Sequence, residues 1–417
     1  MQIHPLHIAS LDIKVSRKPL TSGGITDERQ SHSCPLVTPT HWGAAMTAPI
    51  CTDKAATRAH LQTLISEFFE RGTGRATGYG SHFQKLWQIA GRSVAGGKLM
   101  RPLLLMNCHD ALSSDPDSRH HGHHTGSDPI SNDPVPNLAV AVELLHYSFL
   151  LHDDVIDGDL LRRGRPNLIG SMVNDDATAD HDVARVMHWA QTCGILMGDL
   201  LLSASHQIFA RAAVPEPQRL RLLDLLDETI EDSIAGEQID VGLSDAIISP
   251  ELHTILDMTA RKTATYSFEL PMRMAAVLTG APRCVEDRMG TIGRHLGLGF
   301  QLQDDLLGAF GDPAAHGKDH LSDLREGKQT AIIAAARTTP AWPDIEGLLE
   351  MAALSQHEAA RLSAMLAECG AQDRVADLAE QELRSATMLI DTSGEDLPQP
   401  VRSVLIDLIE KLRGRSS

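Results

Sequence analysis

Along this chain, apolar positions recur mostly with the period of a helix. Between Asn137 and Asp157, the residues Val142, His146, Phe149, Asp153 and Asp157 follow at steps of four, three, four and four. That spacing places all five on one helix face. Similar periods predict helices near 182–211, 217–242, 250–277, 284–308, 354–369, 371–391 and 399–412. No hairpin dipeptide lies between alternating apolar residues, so strands are not expected. The fold class is all-α, a large single-domain bundle of long helices around a buried centre.

Two stretches break the pattern. Residues 1–52 mix Pro, Thr, Ser, His and Gly without periodicity and read as a disordered extension. Residues 113–136 carry Asp115-Pro116, Asp133-Pro134 and the cluster His120, His121, His123 and His124. That composition builds no packed core, so it is expected as a flexible loop inserted into a domain running from 53 to 417. The histidines suggest a metal-binding tract, but such tracts are more often solvated loops.

Charge narrows the function classes. The 417 residues hold 37 Lys and Arg against 55 Asp and Glu, a formal charge of −18. Nucleic-acid binding needs clustered cations and is excluded as an expectation. No run of eighteen apolar residues predicts a membrane span, and the N-terminus lacks the basic and apolar blocks of a secretory leader. The six cysteines form no Cys-x-x-Cys pair, which suits a reducing cytoplasm.

Acidic pairs carry the candidate chemistry. In His152-Asp153-Asp154-Val155-Ile156-Asp157, the acids Asp153 and Asp157 stand four apart at the end of an apolar run. Side-by-side carboxylates repel, and oxygen donors without His or Cys suit Mg²⁺ rather than zinc. The alternative is an ordinary solvated helix end. A second pair, Asp304-Asp305, ends the apolar stretch from Gly299. Acids on two helices of a bundle can face one another across a cavity. Cations stand near both pairs in sequence: Lys98 and Arg101, Arg162 and Arg163, Lys262, Lys318 and Lys328. Each alone would be a surface ion pair; together they suggest one anion site bridged by metal and another held by Arg and Lys.

In this order, these blocks resemble the polyprenyl synthetase family, the trans-isoprenyl diphosphate synthases. The likeness rests on Gly97-Lys98-Leu99-Met100-Arg101-Pro102, Glu143 to Asp157 with Arg162-Arg163-Gly164, Gly198-Asp199-Leu200-Leu201, Lys262-Thr263, and Phe300-Gln301 through Asp304-Asp305 to Lys328. It implies a homodimer of helical subunits, each with a deep central cavity. It implies several Mg²⁺ ions, replaceable by Mn²⁺, bound by Asp153, Asp157 and Asp304, with Asp154 and Asp305 supporting them. An allylic diphosphate would be held with Arg162, Lys262, Thr263, Gln301, Lys318 and Lys328. Isopentenyl diphosphate would occupy a metal-free site of Lys98, Arg101, His146 and Arg163. The sequence departs from the family at Leu99, where a further cation is common, and at Gly308, where the second motif usually ends in Asp.

The implied reaction is a head-to-tail condensation with geranylgeranyl diphosphate as product. Farnesyl diphosphate is the competing product. Phe149 and Ser148, four and five positions before Asp153, stand where the family sets its cavity floor. A terpene cyclase is disfavoured because the second-site cations are present. A non-catalytic partner subunit is disfavoured because the acids and cations are kept.

Overall fold

The computed structural model describes residues 54–94, 96–114, 133–162, 164–175, 181–311, 321–325, 327–349, 351 and 354–415. The expected N-terminal extension and nearly all of the His-rich insertion lie outside these residues.

Among the described residues nearly every element is a helix. In order they are α1 (Lys54–Ala76), α2 (Ser81–Val94), α3 (Met100–Ser113), α4 (Pro134–Ile156), α5 (Leu168–Val173), α6 (Val183–Ala210), α7 (Glu216–Ser244) and α8 (Leu252–Thr259). A π-helix at Ala260–Glu269 runs on into α9 (Leu270–Leu278). Then come α10 (Arg283–Phe310), α11 (Ser322–Arg325), α12 (Ala331–Arg337), α13 (Trp342–Leu349), α14 (Gln356–Glu368), α15 (Ala371–Asp391) and α16 (Gln399–Arg413).

The centre of the bundle is α4. Asp133 starts it by accepting a hydrogen bond from the Val135 amide, and Pro134 occupies the first turn, where no amide donor is needed. The helix therefore begins inside the stretch expected to be loop, because Pro134, one of the residues that argued for a break, acts as a helix starter. Leu138, Leu144, Leu145 and Leu151 are fully buried. Each contributes roughly 1.5–3 kcal/mol by leaving water. By length and composition α4 and α6 could each cross a membrane, but α4 is mostly wrapped by its neighbours.

Among the described residues the one departure from helix is a short hairpin of two residues per strand, Leu161–Arg162 pairing antiparallel with Arg165–Pro166. Strand periodicity cannot show in two residues, so the pattern gave no warning of it.

Glycines let the π-helix sit close to two neighbours. A Cβ on Gly236 of α7 would lie 2.4 Å from the Lys262 amide nitrogen, and one on Gly297 of α10 would lie 2.4 Å from the Ala264 Cβ. Both positions exclude any side chain, so the π-helix backbone is held against α7 and α10 at once. π-segments of this kind recur at functional sites, since the extra residue re-aims the side chains around it.

Candidate active site

The first acid pair lies where a helix tolerates acids least. Asp153 is in the last turn of α4 and Asp157 is its C-terminal cap, with its amide bonded to the Asp153 carbonyl. The negative end of the helix dipole and the like charges both oppose this placement. Cations from distant parts of the chain offset it. The Lys262 ammonium stands 2.9 Å from Asp153 Oδ1, and Lys328 Nζ stands 3.0 Å from Asp157 Oδ2.

Lys262 is the densest point of the site. Besides Asp153 it meets Glu237 at 2.9 Å and Asp240 at 2.6 Å, both on α7. Three carboxylates thus surround one ammonium. Burial alone would lower the pKa of Lys262; Asp153, Asp240 and Glu237 outweigh it and hold the charge firmly. Burial raises Glu237 above the usual carboxylate range. Thr263 is half-buried one residue further on.

Arg162 turns inward. It donates to Asp154 Oδ1 at 2.5 Å and lies 3.7 Å from Asp153 Oδ2. Asp154 is buried, and burial pushes its carboxyl up to about 6 against the opposing charge of Arg162. Asp154 therefore orients Arg162 beneath the acid face.

On α10, Gln301 donates to Asp305 Oδ1 at 2.9 Å. Arg415 donates from Nη2 to Asp304 Oδ1 at 2.7 Å. The pair lies in the last two turns of α10, which runs to Phe310, close to the expected end at 308. The π-helix packs against both α4 and α10, so it links the two acid-bearing elements.

A second cluster forms around Tyr266, one π-helical turn past Lys262. The Arg101 guanidinium lies over its ring at 4.9 Å, and Arg101 Nε donates to Ser267 Oγ at 3.0 Å. The His146 ring stacks on Tyr266 at 5.5 Å, and Phe149 meets it edge-on at 5.3 Å. Arg101 is set by the entry to α3. Leu99 takes a left-handed backbone (φ 51°), and Arg58 of α1 donates to the Gly97 and Lys98 carbonyls. A left-handed non-glycine residue costs energy and persists only where its surroundings over-determine it. Lys98 itself is exposed.

Ser148 does not share the Phe149 environment. It is fully buried and donates to the Gly198 carbonyl of α6 at 2.8 Å. It is held against α6 while Phe149 meets Tyr266, because consecutive helix residues point to different neighbours. Arg163 and Lys318 lie outside the described residues. Glu237, Asp240, Ser267, Tyr266 and Arg415 were not anticipated. The three-residue step from Glu237 to Asp240 on one helix was a usable signal; the place of Arg415 was not, since it depends on tertiary packing.

The donor set fits a hard divalent cation. Asp153, Asp157 and Asp304 offer oxygen only, and the buried Asp153 Oδ1 lacks the alignment of a hydrogen bond with Lys262. Among the described residues no three His, Cys, Asp or Glu side chains converge as a complete cage. Mg²⁺ needs none, since it takes one or two carboxylates and completes its shell with phosphate oxygens and water.

The polyprenyl synthetase profile matches residues 84–368. A geranylgeranyl diphosphate synthase of Methanosarcina mazei is 30% identical over 321 residues, covering 77% of this chain and 86% of that protein. A (2E,6E)-farnesyl diphosphate synthase of Mycobacterium tuberculosis is 31% identical over 254 residues, 59% of this chain and 60% of that one. A geranylgeranyl pyrophosphate synthase of Corynebacterium glutamicum, solved with isoprenyl diphosphate and magnesium, shares the fold. Its TM-score is 0.74 at 24% identity, covering 85% of this chain and 99% of that one. With the acids and cations of its motifs gathered on α4, the π-helix and α10, the chain belongs to the polyprenyl synthetase family, whose members are prenyltransferases.

Proposed function

We propose that this protein condenses isopentenyl diphosphate with an allylic diphosphate, head to tail, to give geranylgeranyl diphosphate. The observation that carries the reading is the pairing of two unlike anion sites along one π-helix. At Lys262 the side chains are acids bridged by a cation; at Tyr266 they are Arg101, His146 and Ser267.

In the reaction the allylic C–O bond breaks and diphosphate leaves with the electron pair. The isopentenyl double bond then attacks the allylic carbon, and the released diphosphate takes the proton whose loss restores the alkene. Mg²⁺ held by Asp153, Asp157 and Asp304 would supply charge neutralisation for the departing diphosphate. Lys262 and Lys328, already fixed by their acids, add preorganised positive charge at the same place and need no reorganisation as charge develops. Arg162, Thr263 and Gln301 belong to this side of the site; Lys318, outside the described residues, is assigned to the same diphosphate from the sequence alone. Lys98, Arg101, His146 and Arg163 hold the isopentenyl partner, with the Arg101 fork suited to bidentate phosphate contact. The aromatic rings of Tyr266 and Phe149 exclude water from the allylic cation.

The chain acts as a homodimer in this reading. Trp189, Ile195 and Leu196 on α6 are large apolar residues left exposed, and a second copy of the chain would cover them. The cytoplasm suits the scattered cysteines, which share no Cys-x-x-Cys spacing.

Chromatography of products from isopentenyl diphosphate with dimethylallyl, geranyl or farnesyl diphosphate tests the proposal. A twenty-carbon diphosphate is expected. A cyclised hydrocarbon from one substrate alone would overturn it, and a fifteen-carbon end point would favour the farnesyl alternative.

A further inference from the structure

Arg415 lies two residues past the end of α16, yet it is built into the site. Its guanidinium stacks over the Phe300 ring at 4.2 Å and donates from Nη2 to Asp304 Oδ1 at 2.7 Å. Its side chain is only 25% exposed, and Nη1 is buried with no hydrogen-bond partner. Asp304 is the α10 carboxylate assigned above to a divalent cation. A cation at Asp304 Oδ1 and the Arg415 guanidinium seek the same lone pairs.

We infer that Arg415 is a built-in counter-ion of Asp304 which a divalent cation must displace, so that metal loading at α10 and release of the C-terminal arginine are one event. The geometry suits displacement. The contact shown uses one donor of the guanidinium fork where a bidentate pair would use two, and a second donor already stands unsatisfied. The ring beneath Arg415 also gives the guanidinium a resting surface that does not depend on Asp304. Arg415 thus acts as a positioning residue through Asp304. It sets a positive charge against Asp304 and makes metal binding there weaker than it would be without the arginine. The inference rests on the reading of Asp304 as a metal ligand.

The test is Mn²⁺ binding to the full chain without substrate, followed by electron paramagnetic resonance. Arg415→Gln is expected to tighten binding by about tenfold. Arg413→Gln is the matched control. It removes the same charge two residues away, where Arg413 pairs with Glu380 at 3.0 Å, and should leave the affinity unchanged. In an Asp304→Asn background the gain from Arg415→Gln should vanish. A purely structural role for Arg415 would weaken binding or leave it alone, so tightening separates the two. Hydrogen exchange offers an independent reading, with amides of residues 410–415 expected to exchange faster once Mn²⁺ is added. If Asp304→Asn weakens Mn²⁺ binding while a folded Arg415→Gln chain does not tighten it, the inference is overturned and the metal reading stands. If Asp304→Asn leaves binding unchanged, the metal reading of Asp304 fails and the inference falls with it.

Discussion

The Lys262 ammonium lies 2.9 Å from Asp153 Oδ1, joining the π-helix to the end of α4 across more than a hundred residues of sequence. Because Glu237 and Asp240 hold the same ammonium, Lys262 has two duties that mutation can separate. Lys262→Met should destabilise the fold by roughly 3 kcal/mol through uncompensated carboxylates. It should also lower turnover by about a hundredfold through lost transition-state charge. Adding Asp240→Asn should recover part of the melting temperature and none of the turnover. Recovery of both would mean that Lys262 serves the fold alone.

Arg101 is fixed by Ser267 and by the Tyr266 ring, away from the acid face. Arg101→Ala is expected to raise KM for isopentenyl diphosphate strongly while leaving KM for the allylic substrate nearly unchanged. Initial-rate kinetics with each substrate varied in turn will show it. The reverse pattern would mean that the two anion sites have been exchanged.

Phe149 meets Tyr266 one turn before Asp153, so its ring is the bulk nearest the path of a growing tail. Phe149→Ala should shift the product mixture toward longer chains, read by chromatography. Ser148→Phe should not shorten it. That side chain is sealed against the Gly198 carbonyl, and a ring there overpacks the α4–α6 contact at a cost of about 1–3 kcal/mol. A folded Phe149→Ala chain with unchanged products would place the ruler on another wall.

Away from the site, Glu286 of α10 accepts hydrogen bonds from Arg221 of α7 at 2.8 Å and from Arg273 of α9 at 3.0 Å. Burial alone would raise its pKa, but the bonds from the two arginines outweigh it and hold the carboxyl below its ordinary value. A lowered carboxylate contributes stability that is present above the unfolded pKa and is lost as pH falls through the folded one. Melting temperature should therefore drop on the acid side. Glu286→Gln should flatten that limb and lower stability at neutral pH by about 3 kcal/mol. An acid limb of the same slope in the variant would assign acid sensitivity elsewhere.

The helices were legible because their apolar period is long and regular, and Asp153, Asp157 and Lys262 because their types and spacings carry chemistry. What the sequence withheld were relations set by tertiary packing. The π-helix that aims Lys262 and Tyr266 depends on Gly236 and Gly297 permitting close approach, and glycine has no periodic signal. The spacing of Glu237 and Asp240 on α7 was there to be read, but that Lys262 sits between them is set by packing alone. Pro134 argued for a loop, yet it stands where a helix start accepts proline. Ser148 and Phe149 are neighbours in sequence, and only the packing tells which of them faces α6.

The central claim is that carboxylates on α4 and α10 use a divalent cation to release diphosphate from an allylic substrate. The most direct measurement is prenyl transfer from radiolabelled isopentenyl diphosphate to farnesyl diphosphate, with Mg²⁺ and with excess EDTA, in the natural chain and in Asp153→Ala. The account predicts a labelled twenty-carbon diphosphate with Mg²⁺, none in EDTA, and loss by about a hundredfold or more in a folded Asp153→Ala chain. Transfer undiminished in EDTA or in Asp153→Ala would contradict it.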